Sequence, residues 1–157
     1  MITVRNAFAG DVPRIQEIFN ESMTPSWTHD SLLRELEKND SFFLVAEEDT
    51  SDFSPSQGLS SCVVGFAIFR QVGDDGELLQ ISTCKNVRRR GVADSLLLAV
   101  LGFASQMNFN LIHLEVRISN EAAVSLYEKH GFKRMRVRSD YYNTPVEDAL
   151  IMVRSIS

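Results

Sequence analysis

Leu79-Gln80-Ile81-Ser82-Thr83-Cys84-Lys85-Asn86-Val87-Arg88-Arg89-Arg90-Gly91-Val92-Ala93-Asp94 runs from a strand-forming stretch through a basic turn into a helix. Beyond Gly91, the residues Val92, Leu96, Ala99, Val100 and Phe103 recur at helical spacing, and Leu111 to Val116 then alternates as a strand. A strand, a helix and a second strand in that order call for a parallel crossover. The first amides of a helix have no intrahelical acceptor and sit at the positive end of its dipole, so the turn can receive a phosphate-bearing ligand. Gly91 lets the backbone come close, the small Ala93 leaves room, and Arg88, Arg89 and Arg90 add fork-shaped donors. Neither the Gly-Lys-Ser/Thr of a nucleotide-hydrolysing loop nor the three spaced glycines of a dinucleotide fold is present. On local sequence alone, a solvated basic turn ahead of a helix fits equally well.

Before this stretch, Ile2 to Arg5 alternates like a strand, and Asp11-Val12-Pro13 starts a helix carrying Ile15, Ile18 and Phe19. Met23 to Trp27 breaks it, and Thr28 can cap a second helix with Leu32, Leu33 and Leu36 on one stripe. Phe42 to Ala46 reads as a strand and Glu47 to Ser61 as a polar loop. Cys62 to Phe69 and Glu77 to Thr83 read as strands joined through Gly73-Asp74-Asp75-Gly76. After the crossover, Asn120 can cap a last helix with Ala123, Leu126 and Tyr127 inward, ending at His130-Gly131. Phe132 to Arg138 and Ala149 to Arg154 close the chain as strands. The predicted class is α+β (mixed α/β): a central, mostly antiparallel mixed sheet of about seven strands flanked by about four helices. With 157 residues and 44% hydrophobic composition, residues 1–157 are expected to form a single domain.

The net charge of -5 disfavours a nucleic-acid binder, whose affinity comes from neutralising phosphates. Cys62 and Cys84 show no metal or disulfide spacing, which fits a reducing cytoplasm. The longest apolar run, Leu96 to Ala104, is far short of a membrane span. His29, His113 and His130 have no ligand spacing, so no metal is expected.

The segment Leu79 to Thr83 with Arg88 to Ala93, followed by Leu114-Glu115-Val116-Arg117-Ile118-Ser119-Asn120-Glu121-Ala122-Ala123 and Leu126-Tyr127-Glu128-Lys129-His130-Gly131-Phe132, resembles the acetyl-CoA-binding and closing segments of the GNAT acetyltransferases. The ending Arg138-Ser139-Asp140-Tyr141-Tyr142, then Glu147-Asp148-Ala149, is similar to the ribosomal-protein-alanine acetyltransferases and archaeal N-terminal acetyltransferases. The likeness is dense from Leu78 onward and sparse before it, where Pro25-Ser26-Trp27 only approximates a Pro-Trp pair. Departures include Thr83 for an aliphatic residue, Ala93 for the commoner glycine and Asn143 for a proline. The resemblance implies transfer of an acetyl group from acetyl-CoA to a primary amine, foremost the N-terminal α-amine of a protein such as a ribosomal protein. It implies that Ile81, Ser82, Thr83, Arg88, Arg89, Arg90, Gly91, Val92, Ala93, Asp94, Asn120 and Tyr127 contact acetyl-CoA. Glu115 would be the general base and Tyr127 the general acid, while Trp27, Tyr141 and Tyr142, on loops, would flank the peptide. The protein would act as a monomer or weak dimer, without nucleic acid or membrane.

The residues carry their own chemistry. An α-amine of pKa ~7.7 to 8.0 is partly neutral near pH 7 and a lysine amine near ~10.4 is not, a gap of about 3.4 kcal/mol that suits a modest base to an N-terminal acceptor. Alternation puts Ile112, Leu114 and Val116 on one face and His113, Glu115 and Arg117 on the other. Glu115 could instead pair with Arg117 or a lysine, Tyr127 could be a packed helix aromatic, and Asn120 could be only a cap. Arg134, Arg136 and Arg138 alternate as though on one face, either a solvated edge or an attractor of acidic peptide. Cys84, near the arginines, is a further candidate, for an acetyl-cysteine intermediate. Two other readings stay open: a GNAT enzyme for a small-molecule or lysine amine, and a noncatalytic acetyl-CoA-binding module.

Overall fold

The alternating and helical patterns resolve, in a computed structural model that describes residues 1–21, 27–49, 61–87, 90–143 and 145–156, into seven strands and four α-helices. The strands are β1 (Ile2–Asn6), β2 (Ser41–Asp49), β3 (Ser61–Val72), β4 (Asp75–Thr83), β5 (Leu111–Arg117), β6 (Lys133–Asn143) and β7 (Val146–Ser155). The helices are α1 (Val12–Asn20), α2 (His29–Glu37), α3 (Val92–Gln106) and α4 (Glu121–Lys129). The strands hydrogen-bond in the order β1-β2-β3-β4-β5-β7-β6. β4 and β5 are parallel, as the α3 crossover requires, while β1/β2, β5/β7 and β6/β7 are antiparallel. The mixed, mostly antiparallel seven-stranded sheet read from the sequence is therefore the fold. The chain forms two compact units, Met1–Phe69 with Gln80–Ala99, and Arg70–Leu79 with Val100–Ser157.

In the first unit, α1 buries Val12, Ile15, Ile18 and Phe19, and the Phe19 ring lies 4.7 Å from that of Phe66. Thr28 caps α2 by accepting the Ser31 amide at 3.1 Å. β2 runs on through Glu47, Glu48 and Asp49, where polar composition predicted a loop; pairing with β1 from Ile2 to Asn6 supplies the backbone partners that override composition. Arg5 donates to Glu47 at 2.7 Å and to both Asp11 oxygens at 2.8 Å. Burial alone would raise the Asp11 carboxyl, but Arg5 and the Phe8 amide outweigh it and hold it below the usual range. The remainder of the predicted loop, 50–60, lies outside the described residues. Gly65 sits where a side chain would be tightly confined: a Cβ there would stand 3.0 Å from the Ser82 carbonyl oxygen, 3.0 Å from Val92 and 3.2 Å from Leu96.

In the second unit, β5 buries Ile112, Leu114 and Val116 and leaves His113, Glu115 and Arg117 partly exposed, as alternation predicted. Asn120 caps α4, its side-chain oxygen accepting the Ala123 amide at 3.2 Å. The inward residues of α4 are Val124 and Tyr127, one turn apart, while Ala123 and Leu126 are half-buried. β6 and β7 are longer than predicted, and Tyr141 and Tyr142 belong to β6 rather than to a loop. β6 is also irregular. Arg134 faces Met152 and Arg136 faces Ile151, so Met135 is an extra residue that reverses the alternation. Arg134 consequently leaves the face shared by Arg136 and Arg138, contrary to the one-face reading. Two more extra residues lie between Arg138, opposite Ala149, and Tyr142, opposite Glu147. There Asp140 adopts a left-handed φ of 51°, steadied by donation of its amide to Asp148 at 2.9 Å. At the end of the strand order, β6 is an exposed edge carrying Lys133, Arg134, Arg136 and Arg138.

Candidate active site

The end of β4 and the turn into α3 belong to one stretch of chain. β4 pairs with β5 at Gly76, Glu77 and Leu78, so Ile81, Ser82 and Thr83 lie past that ladder, half-buried, with Gln80 donating to the Ser82 hydroxyl at 2.9 Å. A short helical turn at Lys85–Val87 leads to Gly91 at φ 81°, where an added Cβ would meet nothing within 4 Å. α3 begins at Val92 and runs 15 residues, and the Ser95 amide donates to the Gly91 carbonyl at 3.0 Å. An open glycine in a left-handed turn at the start of a long helix is a fit for a pyrophosphate. Ala93 is half-buried in the first turn; Asp94 there complements the helix dipole and can serve an anion only through its amide. Arg90 is exposed and pairs with Glu48 at 3.2 Å. Arg88 and Arg89 lie outside the described residues.

Two further expectations fall in this unit. Trp27 is half-buried, and its carbonyl accepts Gln16 at 3.1 Å. Cys84 is fully enclosed, and burial pushes its thiol up despite Arg14, whose Nη2 lies 2.8 Å from the sulfur. That removes the activated-thiol reading: the neighbouring cation is Arg14, and desolvation outweighs it.

The cluster around Glu115 is assembled from three strands and a helix. Glu115 on β5 accepts Nη1 of Arg138 at 3.0 Å, the arginine reaching from β6 over the intervening β7. The Tyr141 hydroxyl also hydrogen-bonds Glu115, which raises its pKa, and the Arg138 guanidinium lies 4.8 Å from the Tyr141 ring. Tyr141 and Tyr142 meet edge to face at 5.0 Å. Arg117 lies 4.3 Å from the Tyr142 ring and pairs with Glu147 at 3.2 Å, while Glu147 also accepts the Ser119 amide at 2.8 Å. That amide and Arg117 hold the Glu147 carboxyl below its usual range. Burial, with Glu115 adding to it, pushes Tyr142 up to about 12. Tyr127 is buried against Phe132, and its hydroxyl is pushed well above the ordinary phenol range by burial, with Tyr142 contributing. Burial therefore favours the protonated hydroxyl.

Glu115, Tyr127, Tyr141 and Tyr142 are brought into one cluster within the second unit. The partner of Glu115 is Arg138, not Arg117, which is committed to Glu147. Arg138 and Glu147 are residues sequence reasoning did not assign to the site; only the register of β6 on β7 reveals them. Among the described residues no group of three or more His, Cys, Asp or Glu side chains could hold a metal ion, and no helix is long and apolar enough to cross a membrane.

Residues 12–132 match the model of the acetyltransferase (GNAT) family. An N-alpha-acetyltransferase of Saccharolobus solfataricus is 30% identical over 158 residues, covering 98% of this chain and 93% of its own length. The [ribosomal protein bS18]-alanine N-acetyltransferase of Escherichia coli strain K12 is 36% identical over 97 residues, 60% of this chain and 66% of its own. The crystal structure of the ribosomal-protein-S18-alanine N-acetyltransferase from Escherichia coli superposes with a TM-score of 0.84 at 25% identity, covering 100% of this chain and 95% of that one.

Proposed function

We propose, from the premise that this chain belongs to the acetyltransferase (GNAT) family, that it transfers an acetyl group from acetyl-CoA to the N-terminal α-amine of a protein, such as a ribosomal protein. The observation that carries the reading is the cluster in which Tyr142 stands between the Glu115 carboxylate, which raises its pKa, and the buried Tyr127 hydroxyl, whose pKa it raises in turn. Ile81 to Thr83 and the turn from Arg88 to Asp94 hold acetyl-CoA, with the amides at the start of α3 on the pyrophosphate and Asn120 contributing a further contact. Acetyl-CoA supplies an acyl carbon activated as a thioester. Glu115 takes a proton as the amine nitrogen bonds to that carbon. Tyr127 gives its proton to the sulfur as the carbon–sulfur bond breaks, and the proton on Glu115 restores it through solvent. Trp27, Tyr141 and Tyr142 flank the peptide. No enzyme-bound acyl intermediate is required, and the whole chain acts as one domain, as a monomer or weak dimer. Its two free thiols, Cys62 and Cys84, fit a reducing cytoplasm, and no nucleic acid, membrane or metal takes part.

The relatives named as N-alpha- and ribosomal-protein-alanine acetyltransferases support an α-amine over other acceptors. The test is free-thiol release from acetyl-CoA with short peptides, the acetyl group being located by mass spectrometry. Glu115→Gln is expected to lower turnover by ~10²- to 10⁴-fold, the ordinary range for one general base. Undiminished activity of that variant would refute the role given to Glu115.

A further inference from the structure

Two arginines reach the same face of the sheet and are used differently. Arg117 is 16% exposed, gives Nη1 to the Pro145 carbonyl at 3.1 Å and to Glu147 at 3.2 Å, and lies over Tyr142. Its charge is answered by a carboxylate of its own. Arg138 is 49% exposed, and its counter-charge among the described residues is Glu115 itself. The register identifies this as a specific choice. Arg136 stands in line with Ile151 and, through it, with Glu115, yet the residue that closes on the carboxylate is Arg138, two positions on.

Glu115 therefore presents an incoming amine with a carboxylate already matched by a cation at contact distance and a tyrosine hydroxyl. Of the other charged residues on that face, Glu77 lies beside His113 and near enough to Tyr141 to raise its pKa, while Arg136 and Lys133 add positive charge opposite Ile151 and Val153, so Arg138 is the charge in direct contact with Glu115. A carboxylate attracts an ammonium strongly only when its charge is uncompensated, because a paired cation cancels the field a short distance away. An ammonium would also have to displace a guanidinium from the oxygen it needs. A neutral amine meets neither obstacle, since it approaches as a hydrogen-bond donor and requires only a proton acceptor.

We propose that Arg138 makes the site selective for amines that arrive uncharged, an N-terminal α-amine rather than a lysine ε-amine, by occupying the Glu115 carboxylate on which an ammonium would otherwise seat. This rests on the acetyl-transfer reading given above and identifies what chooses the acceptor class within it. Near pH 7 the neutral fraction of an α-amine exceeds that of a lysine amine by roughly 300-fold. An uncompensated carboxylate would erode that advantage by recruiting the ammonium form; Glu115 matched by Arg138 preserves it.

The test compares kcat/KM of the full-length enzyme for two peptides, one with a free N-terminus and no lysine, the other N-terminally blocked with a single lysine. The wild-type ratio is expected to be at least ~100, set by amine acidity. Arg138→Gln should lower it by about 10-fold or more, chiefly through a lower KM for the lysine peptide, and Arg138→Lys, which keeps the charge, should hold it within about 3-fold of wild type. Arg136→Gln reports whether the general positive field suffices, and it should leave the ratio unchanged. An unchanged ratio in Arg138→Gln, or an equal fall in Arg136→Gln, would overturn the assignment while leaving α-amine acetylation standing. Absence of transfer to either peptide would remove the acetyl-transfer reading itself, and the assignment with it.

Discussion

The turn that leads into α3 and the cluster around Glu115 are built on opposite plans. The first is contiguous: from Ile81 to Asp94 one run of chain leads from the end of β4 into the first turn of α3, and the donors a helix start offers an anion are backbone amides. The second draws Glu115 from β5, Arg138, Tyr141 and Tyr142 from β6, Glu147 from β7 and Tyr127 from α4. A site made of backbone tolerates side-chain change and is sensitive to dihedral angles. A site made of side chains on paired strands is sensitive to chemistry and to register.

That contrast predicts different kinds of damage. The largest is expected from Tyr127→Phe, which keeps the ring against Phe132 and removes one hydroxyl. It should lower kcat by ~10²-fold or more with little change in the KM for acetyl-CoA, as steady-state kinetics will report. A KM effect without a kcat effect would make Tyr127 a cofactor contact and break the division between the two regions. Next in size is Gly91→Ala. No atom stands in the way of the new methyl, so the change acts through the left-handed φ alone, a cost of ~1–2 kcal/mol. The expected outcome is a KM for acetyl-CoA raised by about 10-fold with kcat nearly kept.

The two plans also explain what could be read from the sequence. The turn was legible because its parts are adjacent, and helical spacing from Val92 to Phe103 fixed where the amides begin. The orientation of Glu115 was legible as well, since alternation along β5 depends on nothing outside that strand. Arg138 was not, because Met135 and the left-handed Asp140 insert residues that no local pattern announces, and each insertion changes what the rest of β6 faces. The same holds for Tyr141 and Tyr142, which the family resemblance put on loops and which pairing with β7 makes part of a strand. Glu47 to Asp49 repeat the lesson at the other end of the sheet, where β1 and Arg5 turn an apparent loop into a strand.

The smallest expected effect treats the regions alike. Asp11 in one unit and Glu147 in the other both have folded-state pKa values below their ordinary ones, so at acid pH the unfolded chain binds more protons than the folded one. Their contribution to stability is complete well above pH ~4 and is lost as pH falls through the lowered values. Thermal melts should show Tm declining through that range. Asp11→Asn, already short of its ion pair at neutral pH, should lower Tm by on the order of a few degrees at pH 7 and show a shallower acid decline. A decline as steep as wild type would mean that Asp11 carries none of the acid sensitivity.

Gly65 sets a limit of another sort. Its hydrogen is the spacer between the end of β4 and the opening turn of α3, with Ser82, Val92 and Leu96 all within 3.2 Å of where a methyl would go. Even alanine would require those neighbours to give by a few tenths of an ångström, so the closeness of β3 to the first turn of α3 is set by the absence of a side chain at residue 65.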